Sequence, residues 1–222
     1  YRARRGQPIV CEAPGATWLP FRDIGSSKSG PRTRAAREAL LAPIREEVVA
    51  CTRCALCHGR TQTVFGVGDP TTRLLFVGEA PGFDEDRLGE PFVGKAGQLL
   101  NDIIKAMGLR RGEGYIANIV KCRPPQNRGP NPAEAGACMG YLERQIDVVK
   151  PEVLVALGSV AAKNLLKNDS SIGRLRGRFH DYRGIPVMAT YHPAYLLRNP
   201  EEKRKVWEDI QLVMARLGLK RA

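Results

Sequence analysis

No stretch of this 222-residue chain approaches the roughly 18 consecutive apolar residues that a membrane-spanning helix needs. No basic-then-apolar signal segment opens it either, so neither membrane insertion nor secretion is expected. No Gly-Lys-Ser/Thr follows its first glycine turn, and no Gly-x-Gly-x-x-Gly occurs after a strand, which excludes a Walker loop and a dinucleotide fingerprint. There is no internal repeat. Aromatic residues are few, at 6%, yet with 43% apolar residues they suffice for a globular core and argue against wholesale disorder. Acids are scarce beside bases: 23 Asp+Glu against 35 Lys+Arg leave a formal charge of +12. A surplus of that size commonly marks polyanion binding, although it can also serve solubility. With no targeting segment the expected compartment is the reducing cytoplasm, where closely spaced cysteines suggest metal or redox chemistry rather than disulfides.

The basic surplus is local. Residues 110–128 hold five bases (Arg110, Arg111, Lys121, Arg123, Arg128) against Glu113, and residues 174–198 hold five (Arg174, Arg176, Arg178, Arg183, Arg198) against Asp181. Nine bases and five acids in residues 1–49 account for the remaining excess. Two concentrated windows that can share one face read as a polyanion surface. The length permits one domain or at most two. Residues 1–45 are rich in Gly, Pro, Ser and Arg without sustained periodicity, and read as a loosely ordered extension before a domain spanning 46–222. A helix is predicted from about Arg34 to Val49.

From Thr72 onward strand and helix signals alternate. Apolar runs at 74–80 (LLFVGEA), 115–120 (YIANIV), 153–157 (VLVAL) and 185–191 (IPVMATY) read as four buried strands. Between them lie an amphipathic helix over 94–107, a helix opened by Asn131-Pro132-Ala133-Glu134 as N-cap, first-turn proline and capping-box acid, and a helix from Ser159. Asn199-Pro200-Glu201 opens the last helix. The pattern predicts a three-layer α/β/α fold around a mostly parallel four-stranded sheet, with functional groups on loops at the carboxyl ends of the strands.

Four constellations carry chemistry. Cys51-x2-Cys54-x2-Cys57 puts thiols on one tight turn; Cys122 follows the second strand and Cys138 lies in the next helix, so four of them can close on one metal centre. Spacing does not separate structural zinc from an iron-sulfur cluster. Second, Gly78-Glu79-Ala80-Pro81-Gly82 ends the first strand, a turn that can aim backbone N–H groups and a carboxylate into a crevice, with the loop residue Phe92 nearby. Third, Asn118 interrupts an apolar strand and needs a hydrogen-bond partner, within the protein or on a ligand. Fourth, His192 precedes Pro193 at the end of the fourth strand, followed by Ala194-Tyr195-Leu196-Leu197-Arg198.

Together GEAPGFDED, PFVGKAGQLL, NIVKCRPPQNR and HPAYLLR, with the placement of Cys51, Cys54, Cys122 and Cys138, resemble the family-four uracil-DNA glycosylases, the iron-sulfur branch of that superfamily, from about residue 50 to 217. The resemblance implies a [4Fe-4S] cluster on Cys51, Cys54, Cys122 and Cys138, and a monofunctional enzyme that hydrolyses the N-glycosidic bond of deoxyuridine in single- or double-stranded DNA for base excision repair. It implies that Glu79, Ala80 and Pro81 contact uracil and place water, Phe92 stacks on the base, Asn118 reads its edge and His192 faces its carbonyl. Glu79 and His192 are the expected catalytic groups, with Glu85 assisting. Leu197 is the expected wedge, and Arg198, Arg174, Arg176 and Arg128 the expected DNA contacts. A monomer is expected. The alternative is a sister iron-sulfur protein that traps uracil-DNA covalently through a His on an inserted loop, but residues 122–132 contain no His. Family five is disfavoured because its first motif lacks the acid supplied by Glu79.

Overall fold

The protein is described by a computed structural model over residues 33–220. Its strands are β1 (Val67–Gly68), β2 (Leu74–Gly78), β3 (Tyr115–Asn118), β4 (Val153–Leu157), β5 (Phe179–Tyr182) and β6 (Ile185–Thr190). They form one sheet in the order β1-β3-β2-β4-β6-β5. The four inner strands are parallel and are the four predicted from sequence. The two outer strands are antiparallel additions to the predicted sheet. β1 is two residues long and β5 is mostly half-exposed, so neither carries the buried apolar run that marks an inner strand.

Each inner strand divides its side chains between two cores. In β4, Leu154 and Ala156 face α1 (Arg34–Val49), α4 (Pro132–Val149), α5 (Ser159–Leu166) and α6 (Ile172–Leu175). Val153, Val155 and Leu157 face the layer built on α3 (Lys95–Ala106) and α8 (Lys203–Leu217). Burial on both faces explains why these strands read as continuous apolar runs rather than alternating ones. The cap of α4 forms as its sequence predicts: Asn131 Oδ1 accepts from Glu134 N at 2.8 Å while Glu134 Oε2 accepts from Asn131 N at 2.8 Å. The last helix starts later than predicted, with a 3-10 turn over Pro200–Glu202 preceding α8.

The expected boundary at residue 45 falls inside α1. Leu41 and Ile44 are buried in the same core as Val48, so the amphipathic face of this helix belongs to the body from its first turns. The rest of the expected extension, with Cys11, lies outside the described residues. Two short helices complete the frame, α2 (Phe83–Leu88) after β2 and α7 (Pro193–Leu196) after β6. The strand order reverses around β2: the chain leaves it for β3 on one side and later returns to β4 on the other. A crevice opens at such a switch point, at the carboxyl ends of the strands.

Candidate functional site

The loops after β2, β3 and β6 enclose a cleft of about 290 Å³ lined by Glu79, Ala80, Pro81, Gly82, Asn127, Arg128, His192, Ala194, Tyr195 and Arg198. It gathers residues from all three motifs that follow strand ends in the sequence. Asn127, Ala194 and Tyr195 were missed as lining residues; the only signal was their place inside CRPPQNR and HPAYLLR, and no residue chemistry singled them out.

Parallel pairing aligns Gly78 of β2 with Asn118 of β3. A Cβ on Gly78 would sit 2.4 Å from Asn118 Oδ1 and 2.6 Å from the Phe92 ring, so only glycine lets these two groups meet there. Asn118 is 2% exposed and its Oδ1 has no hydrogen-bond partner. An unpaired buried amide oxygen is costly, so Asn118 Oδ1 calls for a partner that the described residues do not supply. Phe92 holds a left-handed backbone (φ 54°), uncommon for a bulky residue, and its ring stacks on that of His192 with centroids 5.5 Å apart. Such strain persists where surrounding structure enforces it; here the first turn of α3 packs on the Phe92 carbonyl at Gly97.

His192 Nδ1 accepts a hydrogen bond from Ala194 N at 3.1 Å. That fixes the neutral tautomer with its proton on Nε2. Burial, reinforced by Arg198 and opposed by Glu85, lowers the His192 pKa to about 4. Glu79 is half-buried on the cleft wall, and burial raises its pKa above the usual carboxylate range.

Glu85, expected to assist catalysis, is committed elsewhere. Its Oε1 accepts from Val93 N at 2.9 Å and Gly94 N at 3.0 Å, and its Oε2 accepts from Gly82 N at 3.1 Å. It ties the turn after β2 to the loop that carries Phe92, a positioning role. Among the expected DNA contacts, Leu197 is 46% exposed beside exposed Arg198, at the cleft edge. Arg174 is exposed on α6 and does not line the cleft. Arg128 lines it but is held by a bidentate pair to Glu134 at 2.8 and 2.7 Å. Arg176 is a correction: its side chain is only 16% exposed and it pairs with fully buried Asp209 through two 3.0 Å bonds. Asp209 also accepts from Thr190 Oγ1 at 2.6 Å, so this pair braces the end of β6 that leads into His192.

On the other side of the β3 end lies a chamber whose walls include Cys51, Cys54, Cys57, Cys122 and Cys138. Burial raises the Cys122 pKa and pushes that of Cys138 up to about 11. These thiols stay protonated unless a metal takes the proton's place. Arg60, which sequence reasoning missed, donates to Cys122 Sγ at 3.2 Å and to the Cys51 carbonyl at 2.8 Å. Lys121 N donates to Cys138 Sγ at 3.3 Å. N–H donors aimed at sulfur are the kind of outer support that metal-bound thiolates receive. Among the described residues no three Cys, His, Asp or Glu side chains converge on a single-ion site.

The uracil DNA glycosylase superfamily model matches residues 65–211. The type-4 uracil-DNA glycosylase of Thermotoga maritima is 46% identical over 179 residues, covering 79% of this chain and 93% of that protein. Type-4 uracil-DNA glycosylases of Sulfurisphaera tokodaii and Archaeoglobus fulgidus are 44% and 40% identical, covering 78% and 80% of this chain and 83% and 93% of their own lengths. With its motifs arranged around one cleft at the switch point of the sheet, the chain belongs to the uracil-DNA glycosylase superfamily, in its type-4 branch.

Proposed function

We propose that the cleft receives a deoxyuridine flipped out of DNA and hydrolyses its N-glycosidic bond, releasing uracil and leaving an abasic site. The carrying observation is the unpartnered Oδ1 of buried Asn118 beside the Phe92 ring. That oxygen accepts from uracil N3–H while the amide nitrogen donates to O4. Cytosine offers the reverse pattern and leaves both unsatisfied. Phe92 supplies the stacking platform.

As the C1′–N1 bond breaks, its electron pair leaves on uracil and positive charge builds on the sugar. The Nε2–H of neutral His192 donates to O2, stabilising negative charge that develops only in the transition state. Glu79 orients the water that adds to C1′ and balances the sugar cation, the proton that this water sheds neutralising the departed uracil anion by way of solvent, while Ala80 and Pro81 shape the wall against the base. Leu197 fills the space the base vacates, Arg198 meets phosphate, and Arg128 and Arg174 extend the cationic rim. The substrate is uracil in single- or double-stranded DNA, and the working form is a monomer in the cytoplasm. No helix of the described residues is long and apolar enough to cross a membrane. The trapping alternative lacks a residue to carry it, since the segment from Cys122 to Pro132 has no histidine.

We infer that Cys51, Cys54, Cys122 and Cys138 hold a [4Fe-4S] cluster: all four line one chamber, where Arg60 and the Lys121 amide donate to the sulfurs of Cys122 and Cys138. When bound, the cluster supplies a cross-link between the 51–57 turn, the end of β3 and α4. Incubating the protein with a uracil-containing oligonucleotide, then heating in alkali, tests the activity: strand cleavage at the uracil is expected, and none above a no-enzyme control overturns the reading.

A further inference from the structure

Phe83 is 58% exposed, although it follows directly on Gly82 of the cleft wall. A large aromatic side chain left in water at the edge of a binding cleft invites a partner for its face. It is also held in place: the Arg123 guanidinium lies over the ring, 5.0 Å from its centroid. Arg123 Nε in turn donates to Asn127 Oδ1 at 2.7 Å, and Asn127 lines the cleft. The turn that carries it is strained, with Gln126 and Asn127 at φ 55° and 56°. Left-handed backbone at two successive non-glycine residues is retained only where the surroundings enforce it.

We propose that Phe83 and Arg123 form a second stacking platform, which takes the base neighbouring the flipped nucleotide. Three features specify a nucleobase as the occupant. Phe83 directly follows Gly82 of the cleft wall, and the Arg123 over its ring bonds Asn127 of the same wall. Its companion charge is cationic, and Arg198 adds another cation at the same cleft, which suits a strand carrying one phosphate per base. An aromatic face backed by a guanidinium stacks any base without reading its edge, the requirement for an enzyme that meets uracil in every sequence context. The location is complementary to the expected wedge. Phe83 opens α2 after β2 and Arg123 stands on the loop after β3, whereas Leu197 and Arg198 follow α7 after β6, with β4 between the two groups in the sheet. The strand leaving the cleft is thereby held on both sides of the gap.

This inference rests on the uracil-excision reading, and the test separates the two. The full chain binds a single strand containing a fluorinated deoxyuridine that resists hydrolysis, with a fluorescent purine analogue placed on its 5′ or its 3′ side. Binding is expected to quench the fluorophore on one side through stacking. Phe83→Ala is expected to abolish that quench and weaken binding about 5- to 30-fold, and Phe83→Trp to retain both. Uracil release by the wild-type protein is measured on the matching natural strand. Release accompanied by unchanged quench and affinity in Phe83→Ala, or by no quench on either side in the wild type, overturns the platform alone. Absence of release overturns the excision reading and, with it, the placement of a base beside a flipped uridine.

Discussion

The cleft side and the cysteine chamber meet at the end of β3, where Asn118 is the last strand residue and Cys122 lines the chamber, yet they are built on opposite rules. On the cleft side a key polar atom is left without a protein partner: the Oδ1 of buried Asn118 is unpaired, while His192 on the cleft wall uses its Nδ1 to accept from Ala194 N. In the chamber the donors already meet sulfur, with Arg60 on Cys122 and the Lys121 amide on Cys138. Groups awaiting a ligand that comes and goes must tolerate being unsatisfied between visits. Groups around thiols proposed to hold a bound cluster can be satisfied in advance, since outer donors support the ligands whether or not substrate is present. Between them Lys121, itself buried, donates its ammonium protons to the Asn118 carbonyl at 2.9 Å and to Gln145 Oε1 at 2.6 Å, fixing the strand end that both sites share.

The harshest way to break the contrast is on the chamber side. Cys138→Ser is expected to abolish visible absorption and bound iron and to lower the melting temperature markedly, since a structural metal site contributes folding energy outright. Iron content equal to wild type would remove Cys138 from the ligand set. On the cleft side, Asn118→Asp replaces the amide donor with a carboxylate facing uracil O4 and should lower kcat/KM on uracil-DNA about 1,000-fold, by leaving a charge unmatched in a closed site. His192→Ala should cost about 100-fold in kcat with the melting temperature nearly preserved, the scale of losing one donor to a developing anion.

The same histidine sets a pH signature. Its folded pKa of about 4 lies below the ordinary 6.5, so the unfolded chain binds the extra proton first. Stability that His192 confers is complete above the ordinary value and is lost as pH falls toward 4. Thermal melts of wild type and His192→Ala, nearly equal at neutral pH, should part on acidification between those limits, the wild type falling below the variant; parallel curves would contradict an imidazole held neutral in the fold. The gentlest test divides the basic windows. Arg176→Met should cost about 3 kcal/mol of stability by stranding the Asp209 charge, with little change in the salt dependence of DNA binding. Arg198→Ala should leave stability intact and reduce the log–log salt slope of binding by about 1. The reverse assignment would show in the same two measurements.

Much of this layout was legible beforehand for definite physical reasons. The four inner strands are buried on both faces and so appear as unbroken apolar runs, and Asn131 with Glu134 spells out a helix start in local chemistry. Gly78, Glu79, Asn118 and His192 were visible because each breaks a local rule at a strand end. The edge strands were not visible, because β1 is two residues long and β5 is polar and half-exposed. Arg176 and Glu85 were misjudged for one common reason: a charged side chain announces its charge in sequence but not its partner. Asp209, which claims Arg176, is 33 residues away along the chain.

Sequence alone determined the alternation of strand and helix, the order of the motifs and the residue types that uracil chemistry needs, since periodicity, capping and turn signals act over a few neighbouring residues. Only the tertiary structure decided which of ten window cations remain available for phosphate, that Gly78 is the gap through which Asn118 meets Phe92, and that five cysteines wall one chamber. Those outcomes depend on contacts between segments far apart in the chain, set by strand order and by which partner wins a buried charge, and no local pattern carries that information.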